Sequence, residues 1–419
     1  MSRRPSERSQ TAAHHVGPTP TPTPTPAPAA GGKDGEFVGT AGRSGELPAE
    51  AYATCLATLP GMGPARLAAM VQVEGPEGAW ERLCRRRPWT EPEVLTALGS
   101  RGARLLERWY RRAQEIDPAV EWQRVVDAGV GVAALGSPAY PPALADDIEP
   151  PGVLYWFGSP EVITGPRVAI VGTRRCSQAG LSVALELGRD LTASGVSIVS
   201  GLAAGIDGAA HRGALMDGST PPIGVAGSGL DVVYPPGQTA LWGEVAEAGV
   251  LLSEAPLGRP PERWRFPARN RIIAALADLV VVVESHARGG SMHTVDEADA
   301  RGVDVLAVPG SVRNPSAAGT NALLVEGRAP VTSADDVLGA LDLQPAGRRP
   351  RDDGRTPPDP VDQPVLDALG WQPSTLDQVV LRTRLPVPSV ALALGRLEEL
   401  GWARRSAGWY ERIAAGDPQ

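Results

Sequence analysis

The sequence predicts an α/β protein: a Rossmann-like, doubly wound, mostly parallel sheet with a small helical domain before it and a winged-helix domain after it. Three observations predict this. Apolar strand patterns alternate with helical ones across residues 165–340. Two of those strands run directly into glycine-bearing turns, Val168-Ala-Ile-Val-Gly-Thr-Arg174 and Val199-Ser-Gly-Leu-Ala-Ala-Gly-Ile-Asp207. Near the C-terminus, three short helical patterns precede a two-stranded one.

In chain order, residues 1–47 are low-complexity. Their Thr-Pro repeat from Pro18 to Pro26 suits solvated polyproline II and reads as a spacer or tail. Residues 48–120 read as a helical, helix-hairpin-helix or SAM-like domain. In Leu59-Pro-Gly-Met-Gly-Pro-Ala-Arg66, Gly61 and Gly63 make a tight turn and Pro64 suits the first turn of the next helix. Such a hairpin either holds a DNA phosphate or is an ordinary αα-corner, and both readings stay open. The arginines that follow, from Arg82 to Arg112, form either a DNA face or a solvated helix surface.

Residues 121–164 carry Pro138, Pro141, Pro142, Pro150 and Pro151 and read as a bridge. Residues 165–341 form the core. Strands are expected at 168–171, 197–200, 222–226, 250–253, 279–284, 304–308 and 330–332, with helices such as 182–194 and 207–217 between them. Near-continuous Val, Ile, Leu and Ala is the pattern of strands covered on both faces. Residues 342–361 are a polar, Pro-rich linker. Residues 362–413 fit a winged helix, with helices at 364–369, 375–383 and 389–400 and a wing turning at Ala407-Gly408. The third helix is poor in base-reading side chains, so protein contact is at least as natural a role as a major groove.

The chain has 419 residues, 42% of them hydrophobic, and a net charge of −8. Nucleic acid can therefore be bound only through a local basic patch, not through overall charge. Cys55, Cys84 and Cys176 lie far apart in sequence and suggest neither disulfides nor a zinc site, so a reducing cytoplasm is expected. The longest apolar runs are strand-length, and no membrane span is expected.

The candidate chemistry is anion binding. Gly172 lets the backbone approach a phosphate, Thr173 offers a hydroxyl, and Arg174 a guanidinium fork. Ser200 and Gly201 begin a second loop of the same kind. The stretch Arg259–Arg271 interleaves arginines with Trp264 and Phe266, and Arg269-Asn270-Arg271 follows the ring. Charge that tracks a backbone beside rings that stack on bases suits single-stranded nucleic acid. Gly290 and Ser291 offer a further phosphate turn. Asp207 and His211 lie four apart and read as a helix-start carboxylate and a structural histidine, because a third partner for a triad or metal site is missing. No P-loop, zinc-protease motif or nucleophile elbow is present, and Gly227-Ser-Gly229 is not followed by a helix. No catalytic residue, cofactor or metal is expected.

In order along the chain, Val171-Gly-Thr-Arg174, Ser200-Gly-Leu-Ala-Ala-Gly-Ile-Asp-Gly-Ala-Ala-His211, Gly227-Ser-Gly-Leu-Asp231 with Tyr234-Pro235, Ser253-Glu254, Phe266-Pro-Ala-Arg-Asn-Arg-Ile-Ile273, Gly290-Ser291 and Val308-Pro-Gly310 resemble the DNA-processing protein A family (DprA, also called Smf). The resemblance implies a core that binds single-stranded DNA, forms a homodimer and helps load RecA in recombination and natural transformation. It also implies DNA contacts at Gly172, Thr173, Arg174, Ser200, Gly201, Phe266, Arg269, Asn270, Arg271, Gly290 and Ser291. The sequence departs from the family at Pro236 and Gln238, where a lysine and an asparagine are common. Two other classes fit less well. One is a nucleotide N-glycoside hydrolase on a related sheet, whose Pro-Gly-Gly-x-Gly-Thr loop is missing at Val308-Pro-Gly310. The other is a transcription factor built on the winged helix.

Overall fold

The computed structural model describes residues 47–343, 355–369, 373–406 and 408–413. The Thr-Pro segment, most of the linker and wing residue Ala407 lie outside the described residues.

The chain enters through five helices: α1 (Ala49–Thr58), α2 (Pro64–Cys84), α3 (Pro92–Leu98), α4 (Gly102–Ala113) and α5 (Pro118–Asp127). α2 is broken inside at Gly75, whose φ of 71° is left-handed, and Pro76 then opens a second helical stretch. Between α1 and α2 the expected hairpin is formed. Gly61 sits at φ +78°, and a Cβ there would lie 3.1 Å from Leu105. Trp109 Nε1 donates to Pro60 O at 3.0 Å and ties the hairpin to α4.

Two strands lie in the segment expected to be a bridge. β1 (Gly131–Ala134) and β2 (Val153–Gly158), with α6 (Pro142–Ala145) between them, join the main sheet. β1 pairs antiparallel with β2, placing Gly131 opposite Trp156, where a Cβ would come within 2.1 Å of the indole. The core proper then alternates β3 (Arg167–Val171), α7 (Gln178–Ala193), β4 (Ser197–Ser200), α8 (Ile206–Asp217), β5 (Ile223–Ala226), α9 (Thr239–Ala248), β6 (Val250–Ser253), α10 (Arg265–Leu276), β7 (Leu279–Val282), α11 (Met292–Arg301), β8 (Asp304–Ala307), α12 (Ala318–Val325) and α13 (Ala334–Ala340). The expected strand at 330–332 shrinks to a single bridge, Pro330 with Ala307.

The sheet order is β1-β2-β6-β5-β4-β3-β7-β8. β6 through β8 are mutually parallel, and β2 runs antiparallel to β6. Period-2 alternation divides β3 between two cores. Ala169 and Val171 face α10 and α11, while Val168 and Ile170 face α7, α8 and α13. A third apolar cluster runs unbroken from Leu56, Met70, Trp80 and Trp109 of the helical segment to Tyr155, Leu202 and Trp242 of the core.

The C-terminal module has α14 (Gln363–Ala368), β9 (Ser374–Thr375), α15 (Leu376–Thr383), α16 (Val387–Glu399), β10 (Ala403–Ser406) and β11 (Trp409–Arg412). Its three strands order β10-β11-β9 beside the three helices, a winged-helix arrangement with its own small core around Val365, Val379 and Leu394. Buried Asp362 accepts from Arg396 Nε at 2.7 Å, tying α14 to α16. Among the described residues no helix is long and apolar enough to cross a membrane, and no cluster of metal-ligating side chains occurs.

Candidate nucleic-acid interface

The strand order reverses at β3: the chain moves outward to β4, β5 and β6, then returns to pair β7 on the other side. In an open α/β sheet, that reversal leaves a crevice at the carboxyl ends of the strands. The loops after β3, β4 and β7 meet there. Thr173 N–H donates to Glu284 O at 2.7 Å, joining the first loop to the end of β7. Gly172 has no room for a side chain, since a Cβ would lie 2.6 Å from Ile206 and 2.8 Å from Glu284 O.

The outer layer is aromatic and cationic. Arg174 is exposed, and its guanidinium lies 4.7 Å from the centre of the half-buried Phe266 ring. Tyr234 stands 5.5 Å away on the same ring, tilted by 43°. A guanidinium over a ring is held in place without being neutralised, so its donors remain directed by the aromatic face. Arg175 and Arg263 are exposed nearby in sequence, and Gly290 is exposed on the turn after β7.

Beneath this layer lies a buried polar one. Ser200 Oγ turns inward and donates to Ile170 O at 2.6 Å. Arg269 is 6% exposed; its Nη1 donates to Gly201 O at 2.7 Å and also to Val225 O. Burial pushes its pKa down to about 10. A Cβ on Gly201 would sit 2.2 Å from that guanidinium, so only glycine fits over it. Leu202 then takes φ +58°, a left-handed conformation uncommon for a bulky residue, held by complete burial. The Asp207 carboxyl is held by backbone N–H groups of Gly172 and Gly201, and burial raises its pKa against the pull of Arg269. His211 is wholly buried, with its pKa lowered to about 4 by that burial, so it is neutral at physiological pH.

The rest of the basic stretch also faces inward. Arg271 is 5% exposed, donates to Glu149 O at 2.6 Å and pairs with Glu254 at 2.5 Å. Asn270 Nδ2 donates to Gly290 O at 3.2 Å, and Ser291 Oγ donates to Ser285 Oγ at 2.8 Å. Of the residues singled out from sequence, Gly172, Thr173, Arg174, Phe266 and Gly290 therefore reach the crevice surface. Ser200, Gly201, Arg269, Asn270, Arg271 and Ser291 form its floor.

The first turn of α7 is where a Rossmann-like sheet would ordinarily meet a ligand phosphate. Here the buried Glu284 carboxylate fills that place. It accepts from Ser177 N at 2.8 Å, Ser177 Oγ at 2.6 Å and Asn314 Nδ2 at 3.1 Å.

Comparison with known proteins gives this arrangement its family. Residues 131–342 match the family model described as DNA recombination-mediator protein A, and residues 349–408 match the DprA winged helix domain. The chain belongs to the DprA family. Protein Smf of Synechocystis is 31% identical over 402 residues, covering 87% of this chain and 98% of that one. The DNA processing protein DprA of Streptococcus pneumoniae is 40% identical over 204 residues, covering 49% of this chain and 72% of its own. The X-ray structure of DprA from that organism superposes with a TM-score of 0.58 at 31% identity, covering 70% of this chain and 98% of that one.

Within this DprA-family core, the sequence reading did not rank Tyr234, Glu254 or Glu284 as site residues. Tyr234 is separated from Phe266 by thirty-two positions, and nothing local announces that the two rings meet. Gln238 braces the second loop: Nε2 donates to Ala203 O at 3.1 Å and Oε1 accepts from Arg212 at 2.7 Å.

Proposed function

We propose that this protein is a recombination mediator that binds single-stranded DNA in the cytoplasm, protects it, and helps load RecA onto it as a homodimer. The observation that carries the DNA reading is the exposed Arg174 guanidinium stacked on Phe266 at the mouth of the crevice. A strand can lay a base on the ring while Arg174 grips the adjoining phosphate, and only unpaired bases are open to such stacking. Gly172, Thr173 and the Gly290 turn supply close backbone approach on either side. Ser200, Gly201, Arg269, Asn270, Arg271 and Ser291 act from below by fixing the loops. Family membership supports the RecA and homodimer parts of the reading.

The seating of Glu284 at α7 favours this over a nucleotide hydrolase, because a carboxylate occupies the place a nucleotide phosphate would take. His211 is enclosed, and Asp207 is held by Gly172 and Gly201, so both serve the loops rather than a substrate. The test is fluorescence anisotropy with a labelled dT oligomer and a duplex of equal length. Tighter binding to the single strand, weakening steeply with salt, is expected from counterion release. Equal affinity for the duplex would count against the proposal, as would release of free base from nucleoside monophosphates that Asp207→Asn abolishes.

A further inference from the structure

The helix-hairpin-helix turn and Trp264 are not absorbed by the crevice, yet they face each other. A cleft of about 520 Å³ lies between the hairpin residues Gly61–Arg66 and Arg259, Trp264 and Arg265 at and before the start of α10. Trp264 is 45% exposed, with the Arg265 guanidinium 4.4 Å from its ring centre. On the opposite wall, Arg66 donates to Gly61 O at 3.0 Å, and Gly63, the N-cap of α2, has no side chain to cap the helix. The one carboxylate among the cleft's lining residues, Glu262, is paired with Arg265 at 3.0 Å. Arg259 Nη2 donates to Thr58 O, at the end of α1, so the two walls are tied together.

The cleft shares Met62, Gly63, Pro64, Trp264 and Arg265 with a second cavity that reaches the crevice floor at Arg269. That smaller cavity is also lined by Gly227, and a Cβ on Gly227 would lie 3.3 Å from the Phe266 ring. Trp264 and Phe266 are thus successive aromatic platforms at the start of α10, one opening on the crevice and one on the hairpin.

We propose that the hairpin and Trp264 form a second subsite for the same DNA strand. The nucleotides flanking those at Phe266 stack on Trp264, and their phosphates lie against Arg66 and the amides at the head of α2. This rests on the single-strand reading above. It makes the helical domain part of the DNA path rather than a support.

The test is anisotropy with dT oligomers ranging from about 4 to about 16 nucleotides, the usual span of single-strand site sizes. Phe266→Ala should weaken binding at every length. Trp264→Ala should match the native protein on the shortest oligomers and lose on the order of tenfold on the longest, the size of one lost base stack. Arg66→Ala should lower the salt slope by about 0.7 on the long oligomers alone. Circular dichroism checks that all three variants fold. If Trp264→Ala equals the native protein at every length, or loses the same factor at every length, the second subsite is wrong. If the native protein binds none of the oligomers, the single-strand reading itself falls.

Discussion

Arg174 and Arg269 differ less in chemistry than in what surrounds them. Arg174 stands on a ring in solvent, and Arg269 is enclosed with two carbonyls. Removing each should therefore act on a different quantity. Arg174→Ala is expected to leave thermal stability within about 0.5 kcal/mol of the native value. It should cost roughly 1.5–3 kcal/mol in DNA affinity, the range for hydrogen bonds to charged groups. Arg269→Ala would leave Gly201 O, Val225 O and the Asp207 carboxyl without their cation. A loss of about 3 kcal/mol or more in unfolding free energy is expected, measured by denaturant titration. The sequence could not place Arg269 below the surface, because an arginine in a basic run gives no sign of which face of α10 it will occupy. What reveals it is Gly201 O and Val225 O, both brought in by tertiary contacts.

At the level of elements, the parallel strands were legible because each is a short apolar run ending in a turn. β1 and β2 were not, because the prolines around them dominate the pattern, although Val153-Leu-Tyr-Trp-Phe157 is itself a continuous apolar run. β1 is only Gly-Val-Ala-Ala, with little β propensity, and its glycine is required by an indole from the neighbouring strand. The head of α7 offers a clean experiment. Ser177 caps the helix by accepting from Gly180 N at 3.0 Å and also donates to Glu284. Ser177→Ala should lower stability by about 0.5–2 kcal/mol, the range for a lost N-cap, with DNA affinity unchanged in anisotropy.

For the molecule as a whole, the unbroken apolar cluster makes the helical segment and the sheet one folding unit. A chain beginning after α5 would expose Tyr155, Leu202 and Trp242, and such a truncation is expected to lose cooperative unfolding in calorimetry. Global stability should also carry the signature of His211. Its pKa is about 4 in the folded chain against 6.5 unfolded, so between those values the unfolded state binds the extra proton. The contribution is complete above pH 6.5 and is lost as pH falls toward 4, amounting to roughly 3 kcal/mol. A plot of melting temperature against pH should fall through that window, and His211→Gln should flatten it.

The carboxylate seated at the head of α7 also sets what this protein can sense. Folds of this type commonly couple their behaviour to a nucleotide by admitting its phosphates at that helix. Here the place is filled by the chain's own Glu284 side chain, which already takes up the Ser177 N–H and hydroxyl. On the proposed reading, the grip on DNA should follow strand type and ionic strength and not the energy charge of the cell. Millimolar ATP, matched for ionic strength, should leave the binding curve where it was.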